Sequence, residues 1–105
     1  MGDAMSQHLL VLNAPTSLEE VIVDWLLESE CCQGFTSVAV RGHSSQHTGL
    51  TPGELVMGRQ QRIQFQVHGS GQQLEGLLEQ LRGSLPNADV HYWLLPVLQS
   101  GRLAG

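Results

Sequence analysis

Residues 62–68, Arg-Ile-Gln-Phe-Gln-Val-His, alternate without a fault. Ile63, Phe65 and Val67 point to one side, and Arg62, Gln64, Gln66 and His68 to the other. A period of two is the mark of a β-strand with one buried face. Immediately after it the period changes. Ser70 and Gln73 open a helix on which Leu74, Leu77, Leu78, Leu81 and Leu85 recur at helical spacing, and Pro86-Asn87 ends it. Asp89 to Leu95 (DVHYWLL) then reads as a core strand, followed by a tail over 97–105. Within the tail, Val97 to Leu103 can add a short extra strand.

Working back from Arg62, the chain first crosses a long interval, Gly42 to Gln61. Phe35 to Arg41 (FTSVAVR) is strand-like, rich in Val, Thr and Phe. Before it, Leu18, Val21, Ile22, Trp25 and Leu26 form one apolar helical stripe. Thr16 and Ser17 offer alternative capping boxes with Glu19 and Glu20. Gln7 to Asn13 is a short buried strand. The order is therefore β-α-β-β-α-β. This is the split βαβ, ferredoxin-like α+β arrangement. It predicts a four-stranded antiparallel sheet, two helices on one face, and a long loop between strands 2 and 3. The whole chain, 1–105, reads as a single domain.

The helices cover only one sheet face. The other receives Arg62, Gln64, Gln66 and His68. The last strand adds either Val90, Tyr92 and Leu94 or His91, Trp93 and Leu95. Either set is too bulky and apolar to leave wet, so association of subunits through this face is expected.

Composition narrows the function. The chain has five Arg, no Lys and ten acids, a formal charge of -5. A chain without lysine holds no Schiff-base centre and no P-loop. Its acidity excludes the field that non-specific nucleic-acid binding or basic membrane-surface binding requires. Its longest early apolar run is far shorter than the roughly 20 residues of a spanning helix, so no membrane insertion is expected. The adjacent Cys31 and Cys32 do not make a disulfide framework, and cytoplasmic location is expected. Only 14% of residues are charged, low for an isolated monomer.

The interval over 43–61 is well above the usual loop length, and such loops are commonly functional. Thr51-Pro52-Gly53-Glu54 sets up a short helix that Gly58 stops. His43 and His47, four apart, are candidate ligands for Cu, Zn, Co or Ni. Two ligands are too few, so a neighbouring subunit, or Cys31 and Cys32, would complete the site. The plainer alternative is two solvated or hydrogen-bonded histidines. Arg41, Arg59 and Arg62 flank the segment and, with Glu54, form the candidate ligand- or partner-binding set. Forked guanidiniums suit a carboxylate, a phosphate or an acidic partner segment. Equally, they can pair with Glu54 or helix acids. No catalytic constellation stands out: Ser44 and Ser45 lie near the two histidines, but no acid sits nearby to orient a base.

The layout and Gly42, His43, His47, Leu50, Thr51, Glu54, Gly58, Arg59 and Arg62 resemble a family of uncharacterised PII-like bacterial proteins often encoded beside heavy-metal efflux systems. The resemblance covers about residues 7–98. More distantly the chain is similar to the PII signalling proteins and the CutA cation-tolerance proteins, which form trimers whose sheets line a central core. The resemblance implies a non-catalytic regulatory or binding protein, a homotrimer, with 43–61 in the place of the PII T-loop. It implies a partner protein in a metal efflux system. PII proteins hold ATP phosphates with basic residues including lysine, which this chain lacks, so ATP is not expected. Two other classes remain open from the residues: a small cofactor-free, monooxygenase-like dimeric enzyme, and a plain assembly module.

Overall fold

The computed structural model describes residues 6–29, 34–43 and 60–104. Its elements are β1 (Gln7–Pro15), α1 (Glu19–Glu28), β2 (Phe35–Gly42), β3 (Gln60–Ser70), α2 (Gly71–Ser84) and β4 (His91–Pro96). The strands form one sheet in the order β2-β3-β1-β4, and each neighbouring pair is antiparallel. This is the ferredoxin-like α+β architecture expected from the sequence.

The alternation of β3 sets the layers. Ile63, Phe65 and Val67 lie against Leu10, Leu12 and Ala14 of β1, and all six are buried. The helices close over them with Ile22 and Leu26 from α1 and Leu74, Leu77, Leu78 and Leu81 from α2. Fully burying one such aliphatic side chain stabilises the fold by roughly 1.5–3 kcal/mol. Of the stripe expected on α1, Ile22 and Leu26 are buried, Leu18 and Trp25 pack against the core, and Val21 stays half-exposed.

The two helices begin differently. At α2, which Ser70 and Gln73 open as expected, the two form a capping box: Ser70 Oγ accepts from Gln73 N at 3.1 Å, and Gln73 Oε1 accepts from Ser70 N at 3.3 Å. The α2 start is also tight against β1, because a Cβ on Gly71 would meet the His8 ring at 2.9 Å. At α1 neither Thr16 nor Ser17 caps the helix. A three-residue 3-10 turn, Thr16–Leu18, leads in from Pro15, and Leu18 precedes α1 without a side-chain cap. The turn moves the hydroxyls one step too early to reach the helical N–H groups. Glu19 and Glu20 in the first turn favour the positive end of the helix dipole instead.

β4 resolves the choice left open by its composition. Leu94 pairs with Leu10 and Tyr92 with Leu12, so both share the helix-facing layer. His91, Trp93 and Leu95 pair with Asn13, Val11 and Leu9 and line the open face. The strand starts at His91 rather than Asp89, because the Asp89 carbonyl is taken by Arg62. At its other end, Val97 N donates to Gln7 O at 3.0 Å. Residues 98–104 then leave the sheet without forming the extra strand.

Candidate functional site

Two regions bear on function: the roots of the long segment between β2 and β3, and the sheet face that the helices leave bare.

At the roots, Arg41 and His43 are exposed. Arg41 lines an open depression of about 490 Å³ together with Thr16, Val40, Gln61 and Arg62. Arg62 itself is turned inward, with only 6% of its surface exposed. Its Nη2 donates to Asn13 O at 3.0 Å and to Asp89 O at 2.7 Å. Its Nη1 donates to Gln60 Oε1 at 2.7 Å and to Asp89 Oδ2 at 3.2 Å. One guanidinium thus ties the start of β3 across β1 to the residue that leads into β4. Gly42 allows this: a Cβ there would stand 3.0 Å from Arg62 Cδ. Asp89 also faces His91, with Oδ1 3.4 Å from Nε2.

The structure therefore separates residues that the sequence groups together. Arg62 is occupied by internal partners, with Asp89 in the place where the sequence offered Glu54 or helix acids. Arg41 and His43 face outward. His47, Glu54, Arg59, Cys31, Cys32 and the short helix expected after Thr51 lie outside the described residues. Among the described residues, no three or more His, Cys, Asp or Glu side chains gather to hold a metal ion.

The bare face is built in rows set by strand register. One row runs Thr36, Gln66, Val11, Trp93, and the next runs Val38, Gln64, Asn13, His91. Val38, Trp93 and Leu95 are each about half-exposed. Gln66 Nε2 donates to Gln64 Oε1 at 3.2 Å along the centre. Asn13 Oδ1 is buried and has no hydrogen-bond partner among the described residues. The face is thus a mixed surface of aromatic, aliphatic and amide groups.

Sequence reasoning did not single out Arg82 and Tyr92. Arg82, in the last turn of α2, donates to Tyr92 OH at 2.7 Å, and its guanidinium carbon lies 5.4 Å from the Tyr92 ring centroid. It also pairs with Glu79. No local spacing marks this contact, since it joins a helix end to a strand in the folded state only. No described helix is long and apolar enough to cross a membrane.

Comparison with known proteins agrees with this geometry. No curated protein matches the sequence. Among solved structures, the chain is similar to a DUF3240 family protein from Shewanella baltica OS155. That match has 28% identity and a TM-score of 0.76, covering 93% of this chain and 97% of the other. It is also similar to a putative PII-like signalling protein from Thermus thermophilus, with 20% identity and a TM-score of 0.62, over 89% and 91% of the two chains. CutA from Synechococcus elongatus PCC7942, solved with a Bis-Tris molecule, matches at 17% identity and a TM-score of 0.69, over 99% and 90%. At these identities the last two share the fold. The family model described as a protein of unknown function, DUF3240, matches residues 5–104. Spanning nearly all of the sequence, that match shows that the chain belongs to the DUF3240 family, on the fold it shares with PII-like and CutA proteins.

Proposed function

We propose that this protein is a non-catalytic, PII-like regulatory module. It assembles into a homotrimer through the bare sheet face and senses a small ligand or a transition metal through the segment over 43–61. The observation that carries the reading is that face, where Val38, Trp93 and Leu95 stand half-exposed beside Gln64 and Gln66 on a sheet whose other side is covered by the helices. Burying it against copies of itself removes apolar surface from water and supplies partners for its amides.

Ligand binding then works by selection. A bound ligand favours one conformation of the long segment, and a partner protein distinguishes that conformation from the others. For a transition metal, His43 and His47 are the proposed ligands, completed from a neighbouring subunit or by Cys31 and Cys32. For an anionic ligand or an acidic partner segment, the exposed Arg41 acts with Arg59 and Glu54. Heavy-metal efflux is the process we propose it serves, from the family resemblance in the sequence, with a partner in the efflux system.

Light scattering combined with calorimetric titration of Cu, Zn, Co, Ni, ATP and ADP tests the reading. A trimer that binds one of the metals, and loses it in His43→Ala/His47→Ala, supports it. A monomer at working concentration sinks the assembly, and a dimer favours the cofactor-free enzyme. Metal binding that survives loss of both histidines removes them from the site.

A further inference from the structure

A cleft of about 280 Å³ opens between the C-terminal half of α2 and the start of β4. Burial grades its lining. Leu12, Leu78 and Leu81 are buried and form the inner end, whereas Arg82 and Tyr92 are half-exposed and form the outer end. Val90 adds further apolar wall. The turn that borders the cleft is tied at both ends. Leu85 N donates to Leu81 O at 2.9 Å and Ala88 N to Leu85 O at 3.2 Å, while Asp89 O accepts from Arg62 Nη2 at 2.7 Å. The cleft is thus formed before anything occupies it.

Apolar walls with a few converging polar groups are the ordinary make-up of a small-molecule site. Among the described residues Arg82 is the only charged group in the lining, so the outer end favours an anion. An arginine carries five N–H donors. Glu79 accepts from Nη1, and Tyr92 OH accepts from Nη2 at 2.7 Å. A phenol that accepts a hydrogen bond still has its own proton to donate. The outer end therefore offers guanidinium N–H groups and the Tyr92 O–H side by side, a set that suits the two oxygens of a carboxylate. Glu79 shares the guanidinium, but both side chains are exposed and such pairs hold weakly in water.

We propose that this cleft binds a small monocarboxylic acid with an apolar body. The body lies against Leu78, Leu81 and Val90, and the carboxylate accepts from Arg82 and from the Tyr92 O–H. The volume sits at the bottom of the range for ligand pockets, roughly 300–1,000 Å³, which limits the body to about one ring and a short chain. Tyr92 and Leu12 belong to the helix-facing layer, on the opposite side of the sheet from the bare face. The site therefore stands whether or not the homotrimer forms, and it is separate from the metal and anion ligands proposed over 41–59.

Titration of the full nitrogen-15-labelled chain with 3-phenylpropanoate, followed by amide chemical shifts, tests it. Saturable shifts at Leu81, Arg82, Leu85, Val90 and Tyr92 are expected, with a dissociation constant on the order of 1 mM. The alcohol of the same skeleton, 3-phenylpropan-1-ol, should bind about fivefold more weakly, the upper end of what a water-exposed ion pair contributes. Arg82→Gln should weaken the acid by the same factor and leave the alcohol unchanged. Glu79→Gln should tighten the acid by a factor of about two to three, because it releases the guanidinium and removes a like charge. Both residues are exposed, so neither change threatens the fold. Ala88→Phe fills the cleft and should remove the binding of acid and alcohol alike. Shifts that do not saturate up to about 10 mM overturn the proposal. Equal binding of acid and alcohol overturns it too, leaving only apolar adsorption, as do shifts centred on Trp93 and Leu95 of the bare face.

Discussion

Replacing Arg62 with Met keeps most of the aliphatic stem and removes the guanidinium. Four hydrogen bonds go with it, two of them to the main-chain carbonyls of Asn13 and Asp89. A hydrogen bond to a charged group contributes about 1.5–3 kcal/mol. At the low end of that range, the two carbonyl contacts alone come to about 3 kcal/mol. The ion pair to Asp89 adds at most about 1 kcal/mol, because that carboxylate is 61% exposed and water screens it. The desolvation of a guanidinium that is 6% exposed offsets part of the total. A net loss of about 3 kcal/mol is expected. With a slope of about 1.5–2 kcal/mol/M, the urea midpoint falls by roughly 1.5–2 M. Circular dichroism at one fixed protein concentration measures it, since assembly otherwise shifts the midpoint. The control is Asp89→Asn, which keeps the main-chain carbonyl and should cost under about 1 kcal/mol. The reasoning fails if Arg62→Met costs less than about 1 kcal/mol, or if Asp89→Asn costs as much as Arg62→Met.

Ser70→Ala removes the α2 cap and should cost about 1 kcal/mol, most of it recovered in Ser70→Asp, by urea denaturation. Phe65→Ala empties the centre of the buried layer and should cost about 3–5 kcal/mol, seen as a large drop in melting temperature. Trp93→Glu places a charge on the bare sheet face. It should leave the circular dichroism spectrum native while light scattering shows a smaller species; an unchanged mass would mean that this face is not the contact.

Much of the fold was legible because its signals are local. The alternation of 62–68 and the helix start at Ser70–Gln73 each lie within a few residues, and both appear as read. The start of α1 was misread because Pro15 leads into a 3-10 turn, which separates Thr16 and Ser17 from the N–H groups they would cap. The face of β4 could not be read at all, since apolar residues stand on both sides of that strand and the period of two is silent. The candidate site divides along the same line. Arg41 and His43 are exposed as their place beside a polar segment suggests. Arg62 looked like its neighbours, but its burial is decided by Asp89, 27 residues further on. Arg82 and Tyr92 meet only in the folded chain, from elements with no common periodicity.

The strand order has a consequence for how the molecule is made. β1 sits between β3 and β4, and both of its ladders join residues more than 45 positions apart. Even β2 and β3, consecutive in the chain, are joined across residues 43–59 rather than by a tight turn. No pair of these strands can therefore form as a short hairpin. Each must close a long loop before any contact rewards it, which places folding toward the slow end for a domain of this size. During synthesis β1 is the first of them to emerge. Leu10 and Leu12 must wait for residues 60–70 before they gain one neighbour, and for 91–96 before they gain the other. Through that interval the apolar strand has no ladder of its own, and the nascent chain is at its most vulnerable to aggregation.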